Sequence, residues 1–140
     1  MKMIFLREHF ALLLIFALAF PSQALGDPVP KGHGHKTPHG GIVREAEGIH
    51  AEFLLDKDGN PKLYLYDKTM KPLNRGDLQV RLMMKGHDGS QHSRNLKVSV
   101  NPKGSAVYQG KPIKGMSDWE LAVVSIKKEG RWLHVRFSHH

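Results

Sequence analysis

Turn signals interrupt this sequence about every 8–12 residues from Ile42 onward, and no apolar pattern lasts long enough between them to build a long helix. The segments DKDGNP (Asp56 to Pro61), TMKPLNRGD (Thr69 to Asp77), GHDGS (Gly86 to Ser90) and NPKG (Asn101 to Gly104), together with Glu129-Gly130, carry the residues that reverse a chain. Between them apolar side chains alternate. Ile49, Ala51, Phe53 and Leu55 form one such stripe, and Leu78, Val80, Leu82 and Met84 another. Leu96, Val98 and Val100 form a third, and Leu133, Val135 and Phe137 a fourth. A period of two puts each stripe on the inward face of a strand. Strands are therefore expected over Ile42 to Ala46, Gly48 to Leu55, Lys62 to Asp67, Leu78 to Lys85, around Leu96 to Val100, over Ser105 to Gln109, Asp118 to Lys127 and Trp132 to Phe137. About eight short antiparallel strands make an all-β chain. The expected architecture is an immunoglobulin-like β-sandwich of about 7–8 short strands, with a small OB-like barrel as the alternative.

Cys is absent, which removes disulfides, thiolate metal sites and Cys nucleophiles together. The chain also lacks a nucleophile elbow, a phosphate loop and a paired-carboxylate motif, so it is not expected to be an enzyme.

Residues 1–26 read as a secretory signal peptide. Lys2 and Arg7 precede the apolar run Phe10 to Phe20, and small residues follow Pro21 up to Gly26. The run falls short of the roughly 20 residues that a membrane anchor needs. Cleavage near Gly26 would place the chain in the periplasm, where an exported domain without Cys is common, and leave no integral membrane segment. Residues 27–41 (DPVPKGHGHKTPHGG) read as a flexible His/Gly/Pro-rich arm, and 42–140 as the folded domain. The chain carries 21 basic and 13 acidic residues, a formal charge of +8. The basic residues are spread over nearly every turn, which argues against nucleic acid and fits better with acidic lipid head groups.

The ten His residues suggest chemistry. His33, His35 and His39 lie in the arm, and His50 and Glu52 follow two apart on one strand face, opposite the Ile49 stripe. Imidazole and carboxylate suit copper(II), zinc or nickel. His39, His50 and Glu52 are the expected tight, half-exposed site, with His33 and His35 as weaker capturing ligands. A solvated polar face is the competing reading. On either reading His50 and Glu52 point away from the core, so their removal should leave the fold intact. Met83, Met84, Met70 and Met116 are read as packing residues, His87 and His92 as solvated, and His134, His139 and His140 as further ligands or a frayed end.

The stretch His39 to Pro72 resembles a family of small exported domains linked to heavy-metal efflux. The residues that carry the likeness are His39-Gly40-Gly41-Ile42, Gly48 with Glu52-Phe53, the aromatic strand Leu63 to Asp67, and Lys71-Pro72. Asp118-Trp119-Glu120-Leu121 with the closing strand looks like the FixH/YtkA-like immunoglobulin-type sandwiches. The resemblance implies a periplasmic metal-binding module acting in metal resistance or in delivery to an efflux system, with a periplasmic adaptor subunit as partner. Its pattern carries over to His39 and Glu52. The alternative is a non-catalytic domain that docks on an efflux or membrane partner through a sheet edge without binding metal.

Overall fold

The computed structural model describes residues 37–102 and 104–139. The expected signal peptide, His33, His35 and His140 lie outside these residues. Eight strands form: β1 (Ile42–Ala46), β2 (Ile49–Leu55), β3 (Pro61–Tyr66), β4 (Gln79–Gly86), β5 (Gln91–Val100), β6 (Ala106–Gln109), β7 (Trp119–Lys128) and β8 (Arg131–Ser138). Seven of them keep the expected bounds within a residue or so. The exception is β5, which starts at Gln91, because polar residues carry its first half and the apolar stripe begins only at Leu96. Among the described residues there is no helix, and so none long and apolar enough to cross a membrane.

The strand order is β1-β2-β3-β6-β5-β4-β7-β8, with every neighbouring pair antiparallel. β5 is shared between the two halves. Gln91 to Leu96 pairs with β4, and Lys97 to Val100 pairs with β6. The sheet curls until β1 packs beside β8. The all-β class is therefore as expected. Its form is one nearly closed, barrel-like sheet, in line with the barrel alternative rather than with two separate layers.

The inward stripes fill this barrel. Phe53 of β2 meets Trp119 edge-on at 5.5 Å and Phe137 of β8 at 5.4 Å between ring centroids, which joins the two halves. Val80, Leu82 and Met84 are buried with Ala122, Val124 and Ile126 of the paired β7. Val100 departs from expectation. It is 62% exposed, because β4 pairs with β5 only as far as Leu96 and the last residues of β5 run beyond it.

Candidate functional site

Both faces of β2 are buried. Ile49, Ala51 and Phe53 face the core as expected, but His50 is only 3% exposed and Glu52 is fully buried. The solvated face expected at these two residues is therefore absent, and of His39, His50 and Glu52 only His39 keeps its side chain partly exposed. Two things cover His50 and Glu52. Tyr64 lies opposite Glu52 and Tyr66 opposite His50 across the β2–β3 pair. In addition, residues 37–41, read above as the end of the arm, fold back onto this face. Thr37 and Gly40 close a turn with a 3.1 Å backbone bond, and the His39 ring stacks on Tyr64 at 3.5 Å with 3° between planes.

The two glycines that follow His39 serve different purposes. Gly40 takes a φ of +79° in open space, a conformation that costs a side chain strain. Gly41 passes so close to β2 that a Cβ there would lie 2.6 Å from the Phe53 carbonyl oxygen and 2.9 Å from Glu52 Cγ.

The buried carboxylate of Glu52 is the hub. Its Oε1 accepts the backbone N–H groups of His39 and Gly41, both at 2.9 Å. Its Oε2 accepts the Tyr66 hydroxyl at 2.8 Å and lies 3.1 Å from His39 Nδ1. Because the Tyr66 proton points at Glu52, the close approach of His39 Nδ1 is favourable only if that nitrogen carries a proton. The neutral ring then holds its lone pair on Nε2. The His39 side chain is 39% exposed.

Burial alone would raise the Glu52 carboxyl pKa. The donors from Gly41, Tyr66 and His39 outweigh it and hold the group below its ordinary value. Burial and the adjacent Glu52 carboxylate push the Tyr66 phenol well up, so it remains a donor. A carboxyl depressed in the folded state contributes stability that is present above the unfolded value, about 4.3, and is lost as pH falls through the folded value. Urea unfolding followed from pH 7 to pH 2 should therefore show a steep acid loss that is shallower in Glu52→Gln. Parallel acid limbs for the two proteins would contradict this role for Glu52.

His50 has other partners. Its Nδ1 is 3.1 Å from the Asp67 carbonyl oxygen, which only accepts, so Nδ1 is the protonated nitrogen. Its Nε2 is 3.5 Å from Glu45 Oε2. His39 and Glu52 are thus brought together, while His50 turns toward β1 and the end of β3. Tyr66 and Glu45 were not among the expected site residues. Alternation places Tyr64 and Tyr66 on the Glu52 face, and a β-turn at Glu47-Gly48 sets Glu45 opposite His50, so both signals were present in the sequence. Elsewhere, His134 Nδ1 is 2.8 Å from Ser125 Oγ, His87 lies 3.7 Å from Asp118, and His139 stacks on Trp119. Among the described residues, no three His, Asp or Glu side chains are grouped to hold a metal ion.

No family model, curated protein or solved structure matches the chain. The site combines a buried carboxylate, a tyrosine hydroxyl and a half-exposed imidazole whose orientation both of them fix.

Proposed function

We propose that this protein is an exported, non-catalytic metal-binding module whose anchored ligand is His39 Nε2. The observation that carries the reading is the contact between His39 Nδ1 and the buried Glu52 carboxylate. Metal-binding imidazoles commonly donate their other ring proton to a carboxylate, which fixes the tautomer and raises the basicity of the ligating nitrogen. Glu52 then orients the ligand and does not itself bind metal, since it already takes four donors. His33 and His35 precede the anchored His39 by six and four residues and supply further imidazoles. Copper(II), zinc and nickel suit such a set. The module would buffer or deliver the ion in the periplasm, with an efflux adaptor subunit as its partner.

Titration of the chain beginning at Asp27 with each metal at pH 7.5 tests this. His39→Ala, and the pair His33→Ala with His35→Ala, should each weaken tight binding at least a hundredfold, whereas His50→Ala should leave it within threefold. Affinity should fall as pH drops through about 6.5, since ligating imidazoles must lose a proton. If His39→Ala binds normally and His50→Ala does not, the metal belongs to the His50–Glu45 pair. If no metal binds below millimolar concentration, only the docking alternative survives.

A further inference from the structure

The half of the sheet opposite Glu52 has an outer face of its own. On β4, β7 and β8 the side chains directed away from the core include Arg81, Lys127 and Arg136, with Trp132 among them. Arg81 lies over the Trp132 ring at 4.8 Å from its centroid and Lys127 at 5.8 Å. β4, β5 and β8 carry no Asp or Glu, and β7 carries one acid, Glu120 at its start. That acid is paired with Lys85 at 3.0 Å. Among the described residues, Arg81, Lys127 and Arg136 have no carboxylate partner. Half-buried Met83 and Val123 lie between these cations. The small side chains of Ser93, Asn95 and Ser125 leave an open groove of about 500 Å³, lined also by Arg81 and Arg94.

We propose that this face docks the protein on an anionic phospholipid surface. Three observations favour a bilayer over other polyanions. The cations are clustered and unpaired, as in surfaces that bind acidic lipid. A tryptophan with apolar neighbours among basic residues suits the boundary between head groups and acyl chains. A single-stranded nucleic acid, by contrast, is usually held by a series of aromatic rings, and this face has one. The groove beside Arg81 and Arg94 has room for a head-group phosphate. The proposal is independent of the metal reading, which concerns the opposite half of the sheet.

The test uses vesicles with and without phosphatidylglycerol, at low salt, with the chain beginning at Asp27. Trp119 is buried and Trp132 half-buried, so a blue shift on binding reports Trp132, and Trp132→Phe should remove it. Sedimentation with anionic vesicles is expected, with none for neutral phosphatidylcholine. Each cation lost should cost about fivefold, so Arg81→Gln, Lys127→Gln and Arg136→Gln together should weaken binding about a hundredfold. The control removes three exposed lysines from turns, Lys57, Lys68 and Lys71, and should lose much less. Equal losses from both triple variants would mean diffuse charge and overturn the assignment. So would vesicle binding without a Trp132 shift, or binding to a single-stranded oligonucleotide and not to vesicles. Urea unfolding of each variant separates a lost surface from a lost fold.

Discussion

Glu52→Ala should destabilise the protein by about 3 kcal/mol, because it removes the one acceptor shared by two backbone N–H groups and a buried hydroxyl. The cost comes less from the bonds lost than from the donors left without a partner. Tyr66 is 3% exposed and has no easy route to water. The turn over residues 37–41 should lift away so that its own N–H groups can be hydrated. Glu52→Gln should lose about half as much, since its carbonyl oxygen can still accept from His39 and Gly41 while the charge-assisted part is gone. Urea midpoints at pH 7 give the two values, and amide exchange at His39 and Gly41 should accelerate most in the alanine variant. A Glu52→Ala protein within 0.5 kcal/mol of the parent, a bound set by ordinary surface changes, would remove Glu52 from the centre of the site. The same reasoning overturns the expectation that His50 and Glu52 can be replaced without harm to the fold.

Gly41→Ala should be nearly as damaging, by about 2–3 kcal/mol, although it adds one methyl group. The obstacle is the Phe53 carbonyl oxygen at 2.6 Å, which is backbone and cannot rotate aside. β1 would have to shift away from β2, and the Gly41 N–H would leave Glu52. Gly40→Ala is the control. It meets no atom within 4 Å and suffers only the strain of its positive φ, about 1–2 kcal/mol. The two variants should also differ in metal affinity. Gly41→Ala moves the His39 anchor and should weaken binding at least tenfold, while Gly40→Ala should weaken it less. Equal unfolding midpoints and equal affinities for the two alanines would refute separate roles.

Most strands are readable because they keep an inward stripe for the whole of their length, whereas β5 carries one only from Leu96. The Leu78 to Met84 alternation has a single outcome once one face must be buried. Alternation says nothing, however, about what covers the other face. It places His50 and Glu52 on the side opposite Phe53, yet both are buried, and a five-residue turn from outside the sheet lies over Glu52. That turn has no apolar periodicity, only His-Gly-Gly, and its docking depends on contacts 11 to 27 residues away. The barrel form was open for a similar reason. The β3–β6 pairing joins segments that have β4 and β5 between them in the chain, and alternation within a strand does not say which other strand lies beside it. Val100 shows the limit from the other direction, since an apolar residue in phase with its stripe ends up in solvent where the partner strand has stopped.

The placing of β1 beside β8 bears on how the protein behaves at high concentration. An open eight-stranded sheet presents two rows of unsatisfied N–H and C=O groups, each a template for another copy of the chain. Here the two rows face each other, with Arg131 reaching to within 3.9 Å of Glu47 at one end of the seam. β1 is only five residues long, and the turn that precedes it is fastened through Glu52. Loss of the Glu52 contacts should therefore raise the tendency to self-associate, which light scattering would register. Where acid or mutation breaks them, β1 becomes the first strand free to leave, uncovering β2 and β8 together.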